Sequence, residues 1–263
     1  MDRSRQQHGP QYPQEFIDRL QLVWGAGFLS PGGPEEVARI VEGLALRDKA
    51  VLDLGCGVGG PAIVLARRFG ARVTCLDVEE TLIENARRNA AAAGVSGQID
   101  FVLARPGPLP FAPARFDVVF SKEAMLHIPD KAALFADLLR VLVPGGWLAA
   151  SDWLKGEEAE NDPGYQRYIA QGHLSYRMAT AAQSEAQLRA AGFADVRSLD
   201  RHEWYAPRAL QELRDIEGPL REELIAVSGR ETYEKWLSAR RGSAAAFNSG
   251  GLRPVHLRAR KPG

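Results

Sequence analysis

Two aspartates and a run of glycines carry the clearest chemistry in this 263-residue chain. The stretch Val51-Leu52-Asp53-Leu54-Gly55-Cys56-Gly57-Val58-Gly59-Gly60 holds G-x-G-x-x-G at Gly55, Gly57 and Gly60, and Asp77 follows roughly 20 residues later. Such a loop brings backbone N–H groups and a helix N-terminus up to a nucleotide. A nicotinamide or flavin dinucleotide is one reading. Asp53 opposes it, because a carboxylate just before the first glycine sets like charge beside a pyrophosphate. S-adenosylmethionine (SAM) has no phosphate but carries an ammonium and a sulfonium. A carboxylate at this strand end suits it, and Asp77 can accept both ribose hydroxyls. A turn that merely needs glycine is the plainer alternative. Strand, loop, helix and second acid occurring together argue against it.

A second group could handle a proton. His127 lies in Ser121-Lys122-Glu123-Ala124-Met125-Leu126-His127-Ile128-Pro129, and Tyr12 lies just ahead of an amphipathic segment. Methyl transfer is an in-line displacement at a sulfonium, so most of its catalysis is positioning. An attacking group must shed a proton, and a histidine can take or relay one near pH 7. A tyrosine hydroxyl can orient such a group or the histidine. Alone, a histidine before Ile-Pro is a satisfied loop residue and Tyr12 a packing residue. Trp24, Trp153 and Tyr176 offer faces to a cation, although Trp24 and Trp153 read first as core aromatics. Glu123 could meet a ligand, against the plainer reading of a solvated carboxylate. His173 is equally well a surface residue.

The elements that must position these groups alternate. Val51–Leu54, Arg72–Asp77, Gln98–Leu103, Phe116–Phe120 and Trp147–Ser151 read as strands. Helices over Pro61–Phe69, Glu79–Ala93 and Pro129–Leu142 lie between them, the last ended by Pro144-Gly145-Gly146. This is the pattern of a doubly wound α/β sheet with right-handed crossovers. Helical spacing covers 13–24, and a second helix opens at Pro34 after the glycine-rich 25–33. Beyond Asp152 the pattern predicts helix over 162–191, a strand over Phe193–Leu199, helix over 206–241 and a last strand at Val255–Ala259. Segments 154–180 and 206–250 are expected to cover the C-terminal strand ends, where such sheets bind ligands.

Composition narrows the classes. Lys+Arg is 33 and Asp+Glu is 33, so there is no electrostatic footprint for non-specific nucleic-acid binding. Two cysteines, Cys56 and Cys75, make no disulfide framework and show no metal-ligand spacing. The polar start is no secretory signal, and no stretch approaches the roughly 20 apolar residues of a membrane span. The expectation is a reduced, cytoplasmic, soluble protein with no nucleic-acid or membrane partner.

The chain resembles the class I SAM-dependent methyltransferases. The resemblance rests on the run from Val51 to Gly57, on Asp77, on Leu109-Pro110-Phe111 with Phe116-Asp117, and on Leu142-Val143-Pro144-Gly145-Gly146. It covers about residues 50–152. It implies a Rossmann-like seven-stranded sheet whose last strand is antiparallel, with SAM as cofactor. In one position the chain departs. The family usually has an Asp after its third strand that holds the adenine amino group, and here Arg105 stands there.

Two further segments are similar to the phosphoethanolamine (phosphobase) N-methyltransferases: Gln11-Tyr12 with Trp24 through Gly33, and Ser121 through Lys131. In that branch a tyrosine and a histidine close over SAM, and Tyr12 and His127 match them as the catalytic pair. The resemblance implies cofactor contacts from Ser30, Asp53, Gly55, Gly57, Asp77, Val78 and Lys122. It places the acceptor among Glu123, Trp153, Tyr176, Arg177, Arg240 and Arg241. The branch's phosphate ligands are altered: Trp153 replaces a tyrosine, Tyr176 and Arg177 are displaced, and Ala239, Arg240 and Arg241 stand near a late lysine. A phosphate could meet Arg177 with Arg240 or Arg241; a carboxylate or an aromatic amine would fit equally.

The resulting expectation is methyl transfer to the amine nitrogen of a small molecule. Residues 1–48 form N-terminal helices and a loop over the cofactor, 49–153 the SAM-binding core, and 154–263 an acceptor lid with the final strands, all one structural domain. An O-methyltransferase, a non-catalytic SAM-binding protein and an NAD(P) oxidoreductase are the alternatives.

Overall fold

The computed structural model describes residues 11–171 and 178–263. Seven strands among these residues form one sheet: β1 (Ala50–Leu54), β2 (Arg72–Asp77), β3 (Ile99–Leu103), β4 (Phe116–Lys122), β5 (Leu142–Lys155), β6 (Ala194–Asp200) and β7 (Leu252–Arg260). Their order is β3-β2-β1-β4-β5-β7-β6. Strands β1 to β5 are parallel, and β7 runs antiparallel to both β5 and β6. The expected sheet, antiparallel last strand included, is therefore present. The runs Val51-Leu52 and Val119-Phe120 are buried, as strands covered on both faces must be.

Helices α1 (Gln14–Trp24) and α2 (Gly33–Ile40) precede the sheet. Crossovers are made by α3 (Gly60–Phe69), α4 (Glu80–Ala92) and α5 (Lys131–Val141), and the chain continues through α6 (Pro163–Gln171), α7 (Ala181–Ala190), α8 (His202–Glu217), α9 (Arg221–Ser228) and α10 (Arg230–Ser249). Side chains alternate across a strand, so each strand feeds two cores. Val51, Cys75 and Phe120 pack with Val37 of α2, Leu65 of α3 and Ala90 of α4. Leu52, Leu76 and Val119 pack on the other face with Phe135 and Leu138 of α5 and Leu188 of α7. A third cluster joins Trp153 to Tyr168 of α6, Tyr205 of α8 and Phe247 of α10. A fourth joins Phe16 and Leu20 of α1 to Tyr233 and Trp236 of α10. The two cysteines are buried and free.

Three expectations are corrected. Pro144-Gly145-Gly146 does not end the helix before it. α5 stops at Val141 and β5 begins at Leu142, running through the proline and both glycines. The register against β4 shifts there, from Phe116↔Leu142 to Val118↔Trp147, and this irregularity takes up the proline. The long helix expected over 206–241 is three helices, α8 to α10, broken around Gly218 and at Gly229, whose φ is +76°. The helix expected over 162–191 is also interrupted. α7 starts afresh at Thr180, whose hydroxyl accepts from Gln183 N–H at 3.2 Å while the Gln183 side chain accepts from Thr180 N–H at 3.0 Å, a capping box. Among the described residues no helix is long and apolar enough to cross a membrane.

Candidate functional site

The strand order reverses between β1 and β4, and ligands of such sheets bind outside the strand ends at that point. A cavity of about 980 Å³ opens there. It is bounded by the loop after β1, the end of β2, the turn after β4, helix α1 with the 25–33 loop, and α10. Its size is at the upper end for a small-molecule site.

The glycine loop is shaped by what lies against it. Gly55 has φ +71°, and a Cβ there would stand 2.3 Å from the Ala124 Cβ on the turn after β4. A Cβ on Gly60 would meet the Gly27 carbonyl at 2.0 Å, and Gly60 N–H donates to that carbonyl at 3.0 Å. Glycine at these two positions lets the loop approach both its neighbour in the sheet and the N-terminal loop. Asp77 organises the same loop. Its Oδ2 accepts from Gly57 N–H at 3.0 Å, and its Oδ1 from Val78 N–H at 2.8 Å and Glu79 N–H at 3.2 Å. Burial raises the Asp77 carboxyl above its ordinary range, against the pull of those three donors. A carboxylate offers about four lone-pair directions, so capacity remains for ligand hydroxyls. Asp77 and Val78 both line the cavity, and Val78 is 49% exposed.

Asp53 stands behind this wall. It is 1% exposed, does not line the cavity, and its Oδ2 has no hydrogen-bond partner. Its register partners Cys75 and Phe120 place it on the face that carries Val51. Burial first, then the charge of Asp77, pushes its carboxyl up to about 8. Asp53 therefore stands apart from the cavity wall, and a carboxyl held up to about 8 is largely uncharged at neutral pH, so the direct ligand contact expected of it is not made from that wall.

Ser30, Lys122 and Glu123 come together, bonded to one another. Lys122 Nζ donates to Ser30 Oγ at 2.5 Å, to the Pro31 carbonyl at 2.9 Å and to Glu123 Oε2 at 2.6 Å. Ser30 Oγ donates to Glu123 Oε2 at 2.8 Å, and Ser151 Oγ to Glu123 Oε1 at 2.6 Å. The Lys122 and Glu123 side chains are 2% and 9% exposed, so the solvated reading of Glu123 does not hold. Glu123 also has φ +50°, a left-handed geometry that costs a non-glycine residue of order 1–2 kcal/mol. The latch holds it there and ties the 25–33 loop to the sheet.

Tyr12 and His127 both line the cavity, although 115 residues of sequence separate them. Tyr12 begins a stripe continued along α1 by Phe16, Leu20 and Trp24, all in the same wall. His127 ends the 3-10 turn Met125–His127 that follows β4. Trp153 of β5 and Arg240 of α10 line the opposite side of the cavity. The Arg240 guanidinium lies 5.2 Å from the Trp24 ring centroid, and its Nη2 donates to Glu212 Oε2 at 3.2 Å. Tyr205 donates to the same oxygen at 2.9 Å. Arg240 Nε and Trp153 Nε1 are buried without partners. Arg241 points elsewhere: it is exposed, bonds Glu217 at 2.7 Å, and does not line the cavity. Tyr176, Arg177 and His173 lie outside the described residues. Arg105 lines the cavity on the exposed loop after β3. Asp137 and Arg140 of α5 pin that loop, through Leu109 N–H and the Leu109 and Phe111 carbonyls.

Sequence reasoning missed several wall and support residues. Tyr168 and Trp236 line the cavity, and the sequence pattern marked their segments only as helix. Glu212, the partner of Arg240, carried no local signal. Asp152 did carry one, an acid in a buried strand next to a candidate site residue.

Comparisons agree with this architecture. Residues 51–146 match the methyltransferase domain family. Phosphoethanolamine N-methyltransferase 1 from Arabidopsis thaliana is 32% identical over 225 residues, covering 85% of this chain and 45% of that protein. A sterol 24-C-methyltransferase from Gibberella zeae is 32% identical over 221 residues, covering 76% of this chain and 58% of that protein. The chain thus spans about half the length of the curated relatives it matches. The solved Haemonchus contortus phosphoethanolamine N-methyltransferase 2, in complex with phosphomonomethylethanolamine and S-adenosylhomocysteine, superposes with a TM-score of 0.86 at 23% identity. That match covers 96% of this chain and 59% of that one. With its methyltransferase domain match over residues 51–146 and its sheet order, the chain has the class I SAM-dependent methyltransferase fold, and it is similar to the phosphoethanolamine N-methyltransferases.

Proposed function

We propose that this chain transfers a methyl group to the amine nitrogen of a small molecule, with Tyr12 and His127 as its catalytic pair. The observation that carries the reading is their meeting in one cavity with the glycine loop and Asp77. Gly55, Gly57, Asp77 and Val78 form the cofactor wall, and Asp53 backs it from within the sheet. Ser30 and Lys122 hold the covering loop. Bound SAM supplies an electrophilic methyl carbon on a sulfonium. His127 accepts the proton that the attacking amine must lose, and Tyr12 orients that nitrogen. With the methyl donor bound, the task left to the chain's own residues would be alignment and exclusion of water.

Residues 154–263 supply the acceptor lid, with Trp153 and Arg240 at the acceptor's far end. The phosphobase relatives support an amine acceptor. Trp153 and the Glu212-bound Arg240 give this lid a different anion chemistry from the branch pattern. The test is methyl transfer from labelled SAM to phosphoethanolamine, its mono- and dimethyl forms, amino acids, aromatic amines and phenols. Transfer to amines that depends on His127 supports the reading. Transfer confined to phenols, or SAM binding without turnover on any acceptor, overturns it.

A further inference from the structure

The turn that presents His127 is held from two sides by charged groups that do not line the cavity. Lys131, at the start of α5, donates from Nζ to the Met125 carbonyl at 2.5 Å and to the Ile128 carbonyl at 2.6 Å. These carbonyls bracket Leu126 and His127. From the other side Asp152, 1% exposed near the end of β5, lies close enough to the backbone N–H groups of Leu126 and Trp153 for both to favour its charged form. One clamp therefore takes the carbonyls of the turn and the other faces an N–H group within it. The turn's own bonds are short-range, His127 N–H to the Ala124 carbonyl at 3.2 Å and Ile128 N–H to the Met125 carbonyl at 2.9 Å. They do not fix it against the sheet; its ties to β5 are the Glu123 N–H bond to the Ser151 carbonyl at 2.8 Å and the neighbouring Asp152 carboxyl.

Keeping a carboxyl there is costly. Asp152 is fully buried, its Oδ1 has no partner, and Glu123 adds like charge nearby. An apolar residue would pack at this strand position without that cost. Lys131 faces Asp152 electrostatically while its ammonium serves the two carbonyls. Asp152 also precedes Trp153, so one short segment sets both the histidine turn and an acceptor wall.

We propose that Lys131 and Asp152 are positioning residues that act on the reaction through His127. The inference rests on the catalytic role proposed for His127 above. A displacement of about 1 Å in a catalytic group costs up to about 100-fold in rate.

The experiment is a double-mutant cycle on the full chain. Rates are measured with labelled SAM and the best acceptor among phosphoethanolamine, sarcosine and 2-phenylethylamine. Lys131→Met is expected to lower kcat about 10-fold or more with SAM affinity unchanged, Lys131→Arg to recover most of the rate, and Asp152→Asn to fall between. In a His127→Ala background Lys131→Met should add no further loss. Equal losses in both backgrounds, or a loss confined to SAM affinity, overturn the proposal. A normal rate for His127→Ala alone overturns the catalytic reading and this inference with it; a His127→Ala rate that is lowered but measurable and falls further with Lys131→Met overturns this inference alone. Amide exchange needs no turnover: Lys131→Met should speed exchange at Leu126 and Ile128 at least about 10-fold against an unchanged β5. Unchanged exchange there overturns the clamp even if no acceptor in the panel is used.

Discussion

Asp53, one residue before the end of β1, and Asp77, the last residue of β2, lie on neighbouring parallel strands, and burial of Asp53 together with the charge of Asp77 holds the Asp53 carboxyl up to about 8. The unfolded chain titrates an aspartate near about 3.9. Between these values the folded state binds the extra proton, so the stability this carboxyl contributes at low pH is lost as pH rises from about 4 through 8. Asp53→Asn carries no such charge. It should melt a few °C above the parent at pH 9, with the gap closing towards pH 5, while binding SAM more weakly. Thermal melts across that range check this, and a gap independent of pH would contradict it.

Asp77 has two tasks, holding Gly57 N–H and facing the cavity. Asp77→Ala should weaken SAM binding by about 1.5–3 kcal/mol, the range for a lost charged hydrogen bond. Titration calorimetry reads it directly. Unchanged affinity would remove the ribose role.

His127→Ala should cut turnover about 100-fold or more and leave SAM affinity within a factor of about two. Tyr12→Phe keeps the ring and removes the hydroxyl, so its effect should fall on kcat. Steady-state kinetics with equilibrium SAM binding separates these from loss of the cofactor wall, where affinity would fall first.

The Lys122–Glu123 pair is buried, so removing one partner strands the other charge. Lys122→Met should destabilise the protein by about 3–5 kcal/mol and speed SAM dissociation as the 25–33 loop is freed. Lys122→Met with Glu123→Gln should recover much of the stability. Urea denaturation decides: a single variant as stable as the parent means that the latch is energetically idle.

Arg240 and Arg241 should part company. Arg240→Ala exposes the need for the Glu212 pair and should raise KM for an anionic acceptor about 10-fold or more. Arg241→Ala, on the outer face, should stay within about 0.5 kcal/mol in stability and leave KM unchanged. Equal effects on KM would mean that Arg241 reaches the acceptor after all.

The glycine-loop wall of the cavity was readable without a structure. Gly55, Gly57 and Asp77 sit within two adjoining strand–loop units, where residue type and spacing dictate backbone shape, whereas the burial of Asp53 behind that wall was not legible. The alternation that built β1 to β5 is likewise local. The limits of β5 were not readable, because Pro144 and the glycines look like a stop until a neighbouring strand supplies a register that tolerates them.

What the sequence determined by itself was the loop, its two acids and the class of cofactor they suit, since each is encoded by residues close along the chain. Tertiary structure alone decided which long-range partners those groups meet. Glu123 became a latch because Ser30, 93 residues away, is folded onto it. Arg240 and Arg241 are the same residue type one position apart. A helix turns about 100° between them, and only the packing of α10 against Trp24 and Glu212 determined which faces the cavity and which faces water.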